Sequence, residues 1–469
     1  MNRGDRRQAF IVADDLTGAA DTAMQLAPAG APARIVLWDP GDADRNRLIA
    51  DGAGVLSIDT ASRGLPGEAA RERIAGLLRR LTISGGTICY KKLDSGLRGN
   101  VAAEIAAIFD AHPDAVVVVA PAFPTVGRTT VGGVQHADGR PVTLHPTGRD
   151  LLSPVSTAHI PTLLKSAVSA PIASVPIVEV RRGRQFLASR LRSLEVQGFR
   201  VLVVDAETDQ DLDTLARSLV EAGLDRFVAG SGGLAGALKR AGVGRAGSAG
   251  DSQAGLDGMH GRSPEAGAGT GAAAIAVVYA GAAARKAAFR LSGPGVIASA
   301  SRHPVARAQL RAAGSVERAA ATLQLEPLRQ GGAAAQGEEE RLVDLIAKAL
   351  AQGRDVVLGV EPDSTTGGDP ALSLEFSARI NRAVGRILSR SLAAGASWMF
   401  LVGGDTARSF CDAVGARSLS LVTDASAPDG VSIAQIAFGA FAGFPIAMKS
   451  GGFGGEELIN TLVHLWRKD

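Results

Sequence analysis

Residues 87–101 read TICYKKLDSGLRGNV, and within this stretch the chain passes from an apolar, strand-like run through a charged turn into a helix-like segment that begins near Val101. The turn crowds together Lys91, Lys92, Asp94, Ser95 and Arg98. Cations, a carboxylate and a hydroxyl are costly to pack side by side unless a ligand or partner satisfies them. A turn of this kind at the carboxyl end of a strand is where α/β sheets bind substrates, because the strand ends open into a crevice lined by helix N-termini. The residues suit an acid sugar or a phosphate. A solvated basic turn, ion-paired to a neighbouring helix, accounts for the same composition.

A second stretch repeats the pattern. Phe10 to Ala13 form a short apolar run, Asp14 and Asp15 follow, and Leu16, Thr17 and Gly18 lead into the helix-like AADTAMQLA. Adjacent carboxylates repel and need a cation, a hydroxylated ligand or a metal. One Asp capping the helix, with Thr17 as a competing cap, leaves its neighbour to face the crevice.

Further apolar runs occur at 116–120 (VVVVA), 200–206 (RVLVVDA), 226–230 (RFVAG), 273–281 (AAIAVVYAG), 354–360 (RDVVLGV) and 398–404 (WMFLVGG). They are continuous rather than alternating, which marks strands buried on both faces and so mainly parallel sheets flanked by helices. The expected fold is α/β: two α/β domains with mainly parallel sheets and an active-site cleft between them. Residues 241–272 are dominated by Gly, Ala and Ser without apolar periodicity, as in a flexible linker. This sets an N-terminal unit at 1–240 and a C-terminal unit at 273–469. Arg329 to Glu340 reads as a further loop.

A chain of 469 residues exceeds one ordinary core. Its formal charge is +3, from 50 basic and 47 acidic residues, and aromatics make up 4%. With no basic run interleaved with aromatics, a nucleic-acid surface is disfavoured despite a pI near 9.0. Cys89 and Cys411 match no metal spacing and suit thiols in a reducing cytosol. No histidine pair has metal-type helical spacing, and no apolar stretch reaches membrane-spanning length. A cytoplasmic protein without membrane or nucleic-acid partners is expected.

Two glycine-bearing turns follow strand-like runs in the C-terminal half. Gly403, Gly404, Asp405 and Thr406 lead into a helix, where free N–H groups and the helix dipole attract a phosphate. A plain turn capped by Asp405 or Thr406 is the simpler account. The string KSGGFGGEE (449–457) sets Lys449 before Gly451, Gly452, Gly454 and Gly455, a loop able to fold over phosphates or a flexible C-cap and turn; it is not a Walker A loop, because the lysine precedes the glycines. GSGGLAGAL (230–238) is a third such string; by itself it suits a phosphate as well as GGDTA does, and it is read as packing or interdomain structure, with ligand contact as the lesser alternative. Arg63, after the run VLSID, reads from position alone as an ordinary exposed loop arginine, with bidentate pairing to a substrate carboxylate as the alternative, and Arg128 follows the prolines of PAFPTVGRTTVGG (121–133) in a stiff crossing loop.

Taken in order, ADDLTGAADTA (13–23), KKLDSGLRGN (91–100), PAFPTVGRTT (121–130), VGGDTA (402–407) and KSGGFGGEE (449–457) resemble the four-carbon acid sugar kinase family over nearly the whole chain. The resemblance implies an ATP-dependent phosphotransferase acting on the 4-hydroxyl of threonate, erythronate or 3-oxo-tetronate. It implies that the N-terminal domain holds the acid sugar and the C-terminal one holds ATP. The KKLDSGLRGN form, with QHADGRPV after the GRTT string, is more similar to the threonate and erythronate kinases than to the 3-oxo-tetronate kinases, D-threonate being the first expectation.

Under this resemblance Asp94 or Asp15 orients and deprotonates the hydroxyl, and Arg98 stabilises the transferred phosphoryl group. Asp14, Asp15, Arg63, Lys91, Lys92, Asp94, Ser95 and Arg128 hold the acid. ATP falls to Gly281, Ala282, Gly403, Gly404, Asp405, Thr406, Lys449, Gly451, Gly452 and Gly454. Mg2+ follows from the ATP chemistry rather than from a ligand motif, with Asp405 in indirect contact. The partners are a small sugar acid and ATP, and a homo-oligomer is left open.

At 281–286 the chain reads GAAARK, where relatives commonly carry GSxS; Ala282 and Ala284 therefore lack hydroxyls that meet the nucleotide. A 3-oxo-tetronate 4-kinase and a catalytically silent sugar-acid or nucleotide binder stay open as alternatives. A dinucleotide oxidoreductase is disfavoured, since no GxGxxG follows a first strand.

Overall fold

The computed structural model describes residues 8–28, 31–50, 54–83, 86–149, 153–243, 289–301, 303–362, 370–423, 427–428 and 430–467. In the N-terminal half the strands are β1 (Ala9–Ala13), β2 (Ala33–Leu37), β3 (Val55–Asp59), β4 (Ile88–Lys92), β5 (Val117–Ala120), β6 (Arg128–Val131), β7 (Val134–Ala137), β8 (Arg140–Pro141), β9 (Ile172–Val175), β10 (Val201–Val204) and β11 (Phe227–Gly230). The C-terminal half adds β12 (Val296–Ala298), β13 (Ala319–Leu323), β14 (Val356–Val360), β15 (Met399–Val402), β16 (Ser418–Leu421), β17 (Val431–Ile436) and β18 (Pro445–Lys449). The class is α/β.

Among the described residues fifteen strands make one sheet, in the order β13-β14-β12-β15-β18-β17-β16-β2-β3-β1-β4-β11-β5-β10-β9. Pairing is parallel from β2 to β9 and from β13 to β18, and antiparallel at β18–β17, β17–β16 and β16–β2. The sequence suggests separate sheets. In the structure the edge strands of the two halves pair through Val36 with Ser418 and Ile35 with Leu419, which satisfies backbone groups that each edge alone would leave open. β6, β7 and β8 form a separate antiparallel sheet, so Arg128 opens a strand rather than lying in a crossing loop.

Alternate residues of β1 serve opposite faces. Ile11 and Ala13 join one hydrophobic core with Leu16 and Ala20, while Phe10 and Val12 join another with Ile105 and Ile74. Both faces are thus covered, each fully buried aliphatic side chain contributing about 1.5–3 kcal/mol. The helix Leu16–Leu26 packs on the C-terminal helix Gly404–Ala413 as well as on its own sheet, so it is held between the halves.

The expected loop at 329–340 is instead helical, split between Leu325–Gln330 and Gly332–Ala351. Its alanines and glutamates favour helix, and Glu338 and Glu339 are buried against Arg341 and Arg386. The run 273–281 and all but the first three residues of the 241–272 segment lie outside the described residues. Cys89 and Cys411 are free and buried. No helix among the described residues is long and apolar enough to cross a membrane.

Candidate functional site

In the N-terminal block, connections leave β1 and β4 toward opposite sides of the sheet, and β12 and β15 do the same in the C-terminal block. Such switch points open crevices at the carboxyl ends of strands. A cleft of about 610 Å³ lies at the first of them and is walled by both halves: Asp15, Arg63, Lys92, Asp94 and Arg98 on one side, and His303, Ser450, Gly452 and Gly454 on the other.

Asp15 caps the helix Leu16–Leu26, its Oδ1 accepting from the Gly18 N–H at 2.8 Å, while Thr17 Oγ1 donates to Oδ2 at 3.0 Å. The capping carboxylate is therefore the one that lines the cleft, and Asp14 turns inward, 3% exposed. Arg63 satisfies both. Its Nε and Nη2 donate to Asp14 at 2.7 and 3.0 Å, and its Nη1 donates to Asp15 at 2.7 Å. Burial acts to raise the Asp14 carboxyl, but Arg63, Lys91 and Lys92 outweigh it and hold it below the usual range. Arg63 thus works as a clamp on two carboxylates. The bidentate face predicted for a substrate carboxylate is already occupied.

Lys91 and Lys92 are consecutive on β4 and so point to opposite faces. Lys92 reaches the cleft, its Nζ donating to the Leu93 carbonyl at 2.8 Å. Lys91 does not: it is 1% exposed, with Nζ 2.8 Å from Glu104 Oε2 and donating to the carbonyls of Val12 and Lys92. Its expected contact with the acid is corrected to a buried ion pair beneath the site. Glu104 also accepts from Ser62 Oγ at 2.5 Å, and burial, with Asp14 nearby, raises its carboxyl above the ordinary value despite Lys91.

Asp94 accepts from the backbone of Gly96 and Arg98, and from Arg98 Nε and Nη2 at 3.0 and 2.7 Å. Burial pushes its carboxyl upward, yet Arg98, Arg63 and Lys92 overcome this and hold it far below the usual range. Asp94 and Arg98 thus reach the cleft as a bidentate pair, the carboxylate fixing the guanidinium beside it. Ser95 lines the cleft beside it, as does Arg128, whose Nη1 donates to the Val126 carbonyl at 2.9 Å.

The C-terminal turns differ from expectation in detail. Gly403, at φ +105, takes up a backbone that favours glycine, and it precedes the helix Gly404–Ala413 without a side-chain cap. A Cβ on Gly404 would lie 2.6 Å from Asp15 Oδ2, so glycine is required there by the approach of the N-terminal half. Thr406 is buried, its Oγ1 accepting from the Ala300 N–H at 3.0 Å, while Asp405 is exposed. Lys449 is fully buried and donates to the Ser450 carbonyl at 2.6 Å; burial lowers it to about 7. It supports the glycine loop from beneath, and Ser450, Gly452 and Gly454 are what meet the cleft. Gly451 sits against Ser301. Gly281 and Ala282 lie outside the described residues.

Sequence reasoning missed Asp21, Thr147, Ser231, Gly232 and His303, all of which line the cleft. Ser231 and Gly232 belong to the glycine string read as packing or interdomain structure, with ligand contact as its lesser alternative. Both aspects hold: a Cβ on Gly232 would lie 2.8 Å from Asp21 and from Phe123. Their signal was a strand, a serine and glycines opening a helix. His303 caps the helix Pro304–Gly314. Among the described residues, no cluster of three or more His, Cys, Asp or Glu side chains could hold a metal ion.

Residues 9–238 match a sugar-binding N-terminal domain family and residues 296–459 a nucleotide-binding C-terminal domain family. The chain is 32% identical over 459 residues to a D-threonate kinase of Bordetella bronchiseptica, covering 96% of this chain and 95% of that one. It is 35% identical over 215 residues to a D-erythronate kinase of Heliobacterium modesticaldum, covering 46% and 48%. A 3-oxo-tetronate kinase of Cupriavidus necator is 26% identical over 472 residues, covering 96% and 95%. A solved Haemophilus influenzae protein superposes with a TM-score of 0.64 at 19% identity, over 97% of this chain and 100% of that one, a likeness of fold.

Proposed function

The chain belongs to the four-carbon acid sugar kinase family, phosphotransferases that use ATP, and we propose that its substrate is D-threonate, phosphorylated at the 4-hydroxyl. The observation that supports this is the shared cleft, whose arginine- and lysine-rich N-terminal wall faces the glycine loop of the C-terminal half. The acid lies against the first and the phosphates of ATP against the second.

Phosphoryl transfer demands little covalent work from a protein, because the transition state is reached mainly by positioning and charge neutralisation. In this reading Lys92 and Arg98 neutralise charge on the acid and on the group in transit. Asp15, held by Gly18, Thr17 and Arg63, orients the 4-hydroxyl, and Ser95 and Arg128 complete the acid's surroundings. Ser450, Gly452 and Gly454 receive the phosphates, and Gly403 with Asp405 borders them. Magnesium enters with ATP, a mode that needs one or two protein carboxylates, and we assign Asp405 to it. The acid-binding unit is 1–240 and the nucleotide-binding unit 273–469.

The test is ADP release by purified protein with D-threonate, D-erythronate and 3-oxo-tetronate, with phosphorus NMR to locate the product phosphate. Preferred turnover of D-threonate with phosphate on C4 is expected. Preference for either other acid would reassign the substrate, and no release with any of them would remove the sugar-acid reading.

A further inference from the structure

Three residues at the cleft wall form a chain that the roles above do not use. Asp138 Oδ2 lies 3.1 Å from His145 Nε2. On the other side of the ring, Nδ1 lies 2.9 Å from the hydroxyl of Thr147, which lines the cleft. The Thr147 backbone N–H also donates to Nδ1, at 3.2 Å. A backbone amide can only donate, so Nδ1 presents a lone pair and the ring proton sits on Nε2, where Asp138 accepts it. Nδ1 is then an acceptor for the Thr147 hydroxyl too, and Oγ1 directs its single proton at the imidazole. The hydroxyl turns lone pairs toward the cleft.

The chain is held at both ends. Asp138 donates its N–H to the Gly127 carbonyl at 2.8 Å, and its carboxylate accepts from Arg128 Nη1 at 3.3 Å. Thr147 packs so closely on Gly96 that a Cβ there would collide with its methyl group, and the Gly96 N–H donates to Asp94 at 3.0 Å. Thr147 therefore stands over the turn that carries Asp94. Around it the cleft wall carries the cations Lys92, Arg98 and Arg128; of its carboxylates, Asp15 and Asp94 accept from arginines, Asp21 accepts from the Gly430 N–H, and Asp138 is the one already paired with His145. A polyhydroxylated acid also brings protons that need acceptors.

We propose that Thr147, positioned by His145 and Asp138, accepts a hydrogen bond from an internal hydroxyl of the substrate, at C2 or C3, and so selects a hydroxylated four-carbon acid over one lacking that proton. The proposal rests on the sugar-acid reading of the cleft. A site built to pair a substrate hydroxyl rejects the analogue without it more strongly than an apolar pocket does, because a buried polar group is left unpaired.

The test compares D-threonate with 2,4-dihydroxybutanoate and 3,4-dihydroxybutanoate, which lack the C3 and C2 hydroxyl, by ADP release from the full chain. Thr147→Val keeps the shape and removes the acceptor. It is expected to lose about tenfold in kcat/KM on D-threonate, mostly through KM, and nothing on the one deoxy acid that lacks the contacted hydroxyl. Thr147→Ser should retain the wild-type preference. His145→Ala, which frees Thr147 without altering it, should weaken the preference, and it carries the comparison if the valine variant does not fold. Equal losses on all three acids would mean a structural role, and an unchanged preference in both variants would mean that the hydroxyl is read elsewhere; either overturns the proposal. Wild-type protein inactive on all three acids would instead overturn the sugar-acid reading beneath it.

Discussion

Asp59, at the end of β3, takes Arg408 Nη1 at 2.9 Å across the boundary between the two halves, and its side chain is 1% exposed. Burial raises this carboxyl above its ordinary value, with Arg408 opposing and Asp15 adding to the rise. Removing one partner of a buried pair leaves an uncompensated charge, at a cost of about 3–5 kcal/mol. Arg408→Met should therefore destabilise the protein by roughly that amount at pH 8. As pH falls, the stranded carboxyl takes up a proton in the folded state before the unfolded one does, so the loss should shrink toward pH 5. Denaturation midpoints at the two pH values check this, and a loss independent of pH would contradict it.

Asp94 and Arg98 act as one unit in the geometry. Asp94→Asn and Arg98→Ala should each lower turnover by about 10² or more, the scale for losing a fixed charge-stabilising group. The double variant should be little worse than the poorer single, as for residues that work together. Steady-state kinetics of the three variants decide it; additive losses would separate the two residues and point to an independent base role for Asp94. ATP affinity should stay unchanged in each.

Gly404→Ala tests what requires glycine after β15. A Cβ there would press on Asp15 and Thr17. Turnover and acid affinity should fall by about tenfold or more, the scale of misplacing a positioning group, while ATP affinity changes little. Calorimetric ATP binding separates the alternatives, since selective loss of nucleotide affinity would return Gly404 to a phosphate contact.

Lys449, lowered by burial to about 7, binds its proton less tightly folded than unfolded, where its ordinary value is 10.5. Between those limits the unfolded chain holds more protons, so stability rises with pH across this window, and the full cost of burying the cation is felt below about pH 7. Lys449→Met should stabilise the unliganded protein at pH 6 by on the order of 2 kcal/mol, and by less at pH 9. Guanidinium titrations at both values check the sign; destabilisation at pH 6 would reveal an anionic partner in the folded chain.

How far the sequence could be read depended on the range of each interaction. The strand Ala9–Ala13 and the cap at Asp15 are local, and composition with spacing located both. The two-residue period of β4 implies that Lys91 and Lys92 face opposite ways, whereas composition alone groups the run KK into one cluster. Glu104, the partner of Lys91, lies on the following helix, and the match needed the fold. Arg63 was legible as a bidentate arginine, but not its engagement with Asp14 and Asp15, because unoccupied acceptors on a neighbouring strand leave no mark in its own segment. Ser231 reaches the cleft only because β11 inserts between β4 and β5, an order of strands that no periodicity encodes. The loop expected at 329–340 failed for the opposite reason: its apolar residues are few, yet alanine and glutamate carry enough intrinsic helicity for neighbours to complete the element.

The pairing of β2 with β16 sets a clock on biosynthesis. Ile35 meets a partner, Leu419, that is made roughly 380 residues later, which at ~5–20 residues per second is a wait on the order of 20–80 s. Throughout that interval the N-terminal half can complete its own parallel block while ARIVL stands at its rim with backbone donors and acceptors open. Joining the halves is therefore a late, long-range event in the life of each chain, and one whose loop-closure cost falls on the folding rate. Expression at lower temperature or with a holdase chaperone should raise the yield of native protein chiefly by protecting that rim until the strand Ser418–Leu421, near the end of the polypeptide, arrives.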